Sequence, residues 1–109
     1  MQLGYHIRTA DGWEKGLTEA KNFSVDAIQF FARNPRSWWA KPLEKSRVLV
    51  FKKSLKSSQI KKTIIHTPYL VNLASPNPKI FKPSQKGLLS DFVRAAQLGV
   101  DFVVLHPGK

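Results

Sequence analysis

Apolar residues follow two alternating rhythms along this chain. Gln2–Ile7 alternates in hydropathy, while Ala27–Phe31, Thr63–His66 and Phe102–Leu105 are short apolar runs bounded by polar residues. Runs of this length predict β-strands. Between them the spacing changes to that of helices. Trp13, Leu17 and Ala20 share one face of a predicted helix capped by Asp11 and running to about Asn22. Val48, Phe51 and Leu55 share a face of a second, from Leu43 to about Gln59, with lysines opposite. Leu88, Leu89, Phe92, Val93 and Ala96 form the apolar face of a third, which Ser84 is expected to cap and Gly99 to stop. Asn34-Pro35-Arg36 and Ser75-Pro76-Asn77-Pro78 are expected to interrupt regular structure, because proline disfavours the helical region for the residue before it.

Strands alternating with helices imply parallel pairing and right-handed crossovers. The expected fold class is therefore α/β, an incomplete TIM (β/α)8 barrel with about the first four strands and three helices. A complete barrel takes about 250 residues, so a single partial domain is expected over residues 1–109, the N-terminal half, truncated after its fourth strand. Four parallel strands cannot close. The first and fourth become edges and the inner face lacks half its packing, so the isolated chain is expected to self-associate.

Composition narrows the class. At 42% hydrophobic residues the chain is globular rather than disordered. The absence of cysteine excludes disulfides and thiolate-bound zinc and suits a reducing compartment. The N-terminus has no basic region followed by an apolar run, and no apolar stretch nears the roughly 20 residues that span a bilayer. No membrane partner and a cytoplasmic location are expected.

Charge adds a partner. The formal net charge is +11, and Arg33–Lys62 holds ten Lys/Arg against one acid, Glu44. A basic face of this kind fits a polyanion, nucleic acid first. A solvated lysine-rich helix would have the same composition.

The three histidines sit at matching places. His6, His66 and His106 each end an apolar run, in Gly4-Tyr5-His6, Ile64-Ile65-His66 and Val104-Leu105-His106. Parallel strands bring their C-terminal tips to one rim, where β/α barrels build their sites. Neutral imidazole is a good zinc ligand.

The segments around these histidines resemble the endonuclease IV family in order and spacing. Gly4-Tyr5-His6 with Asp11-Gly12 is similar to that family's opening. Phe30-Phe31-Ala32-Arg33-Asn34-Pro35-Arg36-Ser37-Trp38 is similar to the segment after its second strand. His66-Thr67-Pro68-Tyr69-Leu70-Val71-Asn72-Leu73 and His106-Pro107-Gly108 are similar to its third and fourth blocks. The resemblance implies the N-terminal portion of a zinc-dependent apurinic/apyrimidinic endonuclease. Such enzymes cut double-stranded DNA 5′ to an abasic site in base excision repair, using three zinc ions. By motif, His66 and His106 would be ligands of one zinc, and His6 would line the same pocket without ligating. Arg36, Tyr69 and Leu70 would enter the DNA at the lesion, where a wedge offsets part of the unstacking cost.

Some positions depart from the pattern. Pro35 stiffens the loop that bears Arg36, and Thr67-Pro68 lacks the family's acid. The seven acids, Asp11, Glu14, Glu19, Asp26, Glu44, Asp91 and Asp101, include no convincing bridging ligand. The chain alone is therefore expected not to hydrolyse DNA. Two other readings fit the residues: a nucleic-acid-binding half-barrel without catalysis, and a barrel of the sugar-phosphate isomerase or epimerase type.

Overall fold

Side chains of a strand alternate between two faces, and the burial of each strand follows that period of two. In a computed structural model describing residues 1–108, the strands are β1 (Gly4–His6), β2 (Ala27–Phe30), β3 (Lys62–His66) and β4 (Phe102–Val104). Lys109, the last residue of the expected domain, lies outside the described residues. The helices are α1 (Trp13–Asn22), α2 (Lys45–Lys56) and α3 (Pro78–Leu98). The sheet order is β1-β2-β3-β4, all parallel, which is the start of a β/α barrel and leaves β1 and β4 as edges. Both expectations hold: the element order and the open, partial barrel.

One face of the sheet turns to the helices. Ile7, Ile28, Phe30 and Ile65 point there, into a core completed by Trp13, Leu17, Phe51, Ala95 and Leu98. Phe51 is the one buried residue of α2 and is fully enclosed. Its ring meets Trp13 edge to face at 5.1 Å and Phe30 at 5.5 Å. The other face, which would line a closed barrel, carries His6, Gln29, Phe31, Ile64 and His66. It stays open, and Phe102 and Val104 at the β4 edge are 54% and 38% exposed. In this chain β4 is an edge strand.

Aspartates fix the rim opposite the histidines. The Leu3 amide donates to Asp26 Oδ2 at 3.1 Å, and the Thr63 amide and hydroxyl donate to Asp101 Oδ2 at 2.9 and 3.1 Å. Both acids precede strands, and both are occupied in holding strand ends.

The helix boundaries differ in instructive ways. α1 is entered through Gly12 at φ 100°, with no side-chain cap, and Asp11 pairs instead with Lys15 at 3.4 Å. α2 is shorter than expected at both ends, and Leu43 packs on the core before the helix begins. α3 begins six residues before the expected cap, at the last residue of the proline-rich segment that was expected to be irregular. Asn77 Oδ1 accepts the Lys79 amide at 3.0 Å, and Pro78 at the first position loses no helical hydrogen bond. Ser84 is therefore inside the helix and wholly buried. It donates to Ile80 O at 2.7 Å and accepts the Asn72 amide at 2.8 Å.

The buried face of α3 is a further correction. It consists of Ser84, Gly87, Asp91, Arg94, Ala95 and Leu98, while Leu89, Phe92 and Val93 are 63%, 49% and 58% exposed. Apolar spacing misjudged this helix because its inward charges are paired, and paired charges tolerate burial. No helix among the described residues is long and apolar enough to cross a membrane.

Candidate metal and nucleic-acid site

Parallel register carries the histidines to one rim. His6 pairs with Gln29 across β1–β2, and His66 pairs with Val104 across β3–β4. His106 lies two residues beyond Val104, in the turn after β4. That turn is locked to the loop after β3. The Thr67 amide donates to Val104 O at 2.9 Å and the Ala74 amide to Pro107 O at 2.9 Å. Gly108 completes the lock by having no side chain, since a Cβ there would lie 2.3 Å from that of Ala74.

The result is a close pair. His66 Nε2 and His106 Nε2 lie 3.2 Å apart. Two nitrogens bound at 2.0–2.1 Å to one tetrahedral zinc would be separated by about 3.3 Å, so the pair already has the spacing of two ligands on one ion. The tautomer agrees. His66 Nδ1 lies 2.7 Å from Thr67 O, which only accepts, so Nδ1 carries the proton and Nε2 presents its lone pair. The donor set is incomplete, however. Among the described residues no group of three or more His, Cys, Asp and Glu side chains is placed to hold a metal.

His6 stands apart from that pair. Gln29 Nε2 lies 2.9 Å from its Nδ1. With the amide donating, the proton of neutral His6 falls on Nε2 and no lone pair is left for a metal. Burial lowers its pKa below the ordinary 6.5, and the neighbouring His66 adds to the shift.

Phe31 is a residue that periodicity does not single out. Its ring contacts His6 at 5.0 Å, His66 at 5.4 Å and Tyr69 at 5.2 Å. It holds both strand-tip imidazoles and the Tyr69 ring in one aromatic cluster. The available signal was its parity, which places it on the same face of the second strand as Gln29.

Of the expected DNA contacts, Tyr69 belongs to this cluster. Tyr69 is 61% exposed, and Trp38 and Trp39 are 41% and 69% exposed. Arg36 is exposed, and Leu70 is half-buried beside Tyr69. A cleft of 750 Å³ opens between the first two βα loops, with His6, Arg8, Trp13, Phe31, Asn34 and Tyr69 among its walls. Arg47 lies over Trp13 at 5.3 Å, adding positive charge above an aromatic wall.

The loop bearing Arg36 is tied down by residues the sequence reading passed over. Arg33 Nε and Nη2 donate to the two oxygens of Asp91 at 2.9 and 3.3 Å, and Nη1 donates to Ser37 O at 3.1 Å. Arg94 Nη1 donates to Ala32 O at 3.2 Å, and its Nη2 donates to Lys41 O. Burial pushes the Asp91 carboxyl up from its ordinary range, and the two guanidinium groups act against that shift.

Comparison with known proteins agrees with this geometry. A family model described as "Xylose isomerase-like TIM barrel" matches residues 17–109. A protein of Nitrosopumilus maritimus named "Probable endonuclease 4" is 41% identical over the whole chain. One of the same name from Thermoplasma acidophilum is 35% identical over 98% of it. The crystal structure of endonuclease IV from Thermus thermophilus superposes on 99% of the chain with a TM-score of 0.88 and 34% identity. The chain spans only 40%, 38% and 40% of these three proteins.

Proposed function

The chain belongs to the xylose isomerase-like TIM-barrel family, and we propose on that premise that it is the N-terminal part of a zinc-dependent endonuclease acting on abasic sites in DNA. The observation that carries this reading is the 3.2 Å separation of His66 Nε2 and His106 Nε2 at adjoining strand tips. These two imidazoles would hold one zinc, as the first two ligands of a site that has three zinc ions when complete. Zinc there supplies Lewis acidity toward a phosphate oxygen. The other steps belong to side chains of this chain. Thr67 O keeps His66 in its ligating tautomer. His6, held by Gln29, lines the site without ligating. Arg36, Tyr69 and Leu70 meet the duplex, the arginine on phosphate and the pair as a wedge where the abasic nucleotide leaves the stack.

Exposed Tyr69 and Trp39 favour nucleic acid over a small sugar, which needs no such surface. With two imidazoles and, among the described residues, no third side chain placed to complete a metal site, the chain alone would bind DNA without cutting it. Its open inner face and the β4 edge favour self-association. As a DNA-binding chain it would act in the cytoplasm.

The test is incision of a duplex bearing one abasic site by the purified chain, with zinc or with chelator, beside gel-shift binding to the same duplex. Lesion-dependent binding without incision is expected. Affinity that collapses with salt and ignores the lesion would reduce the chain to general phosphate contacts. Zinc-dependent cutting would overturn the assignment of an incomplete site.

A further inference from the structure

A buried ion pair is an expensive way to join a loop to a helix, because both charges lose their water. The Arg33 and Asp91 side chains are 2% and 0% exposed. Replacing such a pair with apolar residues is often neutral for stability, so its contribution lies in the geometry it fixes. That geometry is the segment between β2 and α2, which has no regular structure to hold it. The Asp91 carboxylate on α3 accepts from Arg33, whose third N–H group reaches Ser37 O, and Arg94, three residues on along the same helix, reaches the carbonyls of Ala32 and Lys41. The helix is shaped to receive them. A Cβ on Gly87 would lie 2.7 Å from Arg33 Nη2, so only glycine leaves room for the guanidinium.

The held segment is ordered inside itself. The Arg36 amide donates to Asn34 Oδ1 at 2.9 Å, the Ser37 amide to Asn34 O at 3.2 Å, and the Trp39 amide to Ser37 Oγ at 3.3 Å. Arg36, Trp38 and Trp39 are among its exposed side chains. A loop fixed before contact loses less entropy on binding.

We propose that Asp91 is a positioning residue for the DNA-contacting loop, acting through Arg33, and seconded by Arg94 from the same helix, to hold Arg36, Trp38 and Trp39 in the arrangement that meets the duplex. This rests on the nucleic-acid reading above, and the test separates the two. Hydrogen exchange is measured over residues 34–41 in wild type and in Asp91→Asn. Affinity is measured for a duplex with one tetrahydrofuran abasic analogue, in wild type, Asp91→Asn, Arg36→Ala and the double variant. Exchange is expected to rise at the Arg36, Ser37 and Trp39 amides while α1 and α2 stay protected. Affinity should fall about ten-fold in Asp91→Asn, and the double variant should be no weaker than the weaker single, because one loop carries both effects. Unchanged exchange over 34–41, or a rise spread over the whole molecule, overturns the proposal, as does strict additivity with Arg36→Ala. If Asp91→Asn does not fold, Arg94→Lys keeps the charge, loses the two-carbonyl fork, and is read by the same measurements. A wild-type chain that binds neither this duplex nor an intact one sinks the DNA reading and the ligand named here. The exchange data then decide alone whether Asp91 fixes the loop.

Discussion

His66 Nε2 and His106 Nε2 face each other at 3.2 Å although 40 residues separate them in the chain. The lock between the two loops sets this distance before any metal arrives. The chain is therefore expected to bind zinc through a preformed pair, though weakly, since structural and catalytic sites take three or four protein ligands. His106→Ala leaves one imidazole and should weaken zinc by on the order of ten-fold or more. Competition against a chromogenic chelator measures it. Equal affinity in the variant would show that the pair is not the binding site.

Phe51 joins three elements at one point. It is the buried residue of α2, and it packs on Trp13 of α1 and Phe30 of β2. Phe51→Ala should cost about 3–5 kcal/mol by lost transfer energy and the cavity left behind. In a domain this small that is a large share of total stability. Urea unfolding is the measurement, and a loss under 1 kcal/mol would mean that α2 is not held by this contact.

Much of this architecture was legible because the strands are short and bounded by polar residues. Ile65 and His66 fall on opposite faces by parity alone, so the histidine had to stand on the barrel side once the helix layer claimed Ile65. That three histidines share one rim was readable from their places at strand ends, while the choice of His66 and His106 as a pair came from the family resemblance. What escaped was whatever depends on pairing across long distances. Asp91 and Arg94 look like solvent residues until Arg33, 58 positions before Asp91, is found beside them. Phe31 reads as the last residue of an apolar run, and only the meeting of three loops makes it the centre of the aromatic cluster.

The start of α3 shows the same limit, and it can be tested. Ser84 reads as a cap but is a buried interior residue, and Asn77 does the capping. Asn77→Ala should cost about 1 kcal/mol, the usual loss at an N-cap. Ser84→Ala strands the Asn72 amide, whose partner it removes, and should cost about 1–3 kcal/mol. Denaturant midpoints of the two variants are compared. A larger loss in Asn77→Ala would mean that the Asn72 contact contributes little.

The pH dependence of stability should carry the mark of His6. Its pKa is lowered in the folded chain, by burial first and by His66 second. Between the ordinary 6.5 and that lower value, the unfolded chain binds more protons than the folded one. Stability rises with pH wherever the unfolded state binds more protons, so this contribution is complete above about 6.5 and is lost as pH falls through the lowered value. Asp91, whose carboxyl burial pushes up, is common to wild type and to His6→Gln and cancels in their difference. Urea midpoints at several pH values, for the metal-free chain and for His6→Gln, isolate the effect by difference. Wild type should lose stability from pH 7.5 to 5.5 more steeply than His6→Gln. His66→Gln should flatten part of the slope, since one of the two causes is removed. Parallel profiles for wild type and His6→Gln would mean that His6 titrates in the folded chain as it does in water.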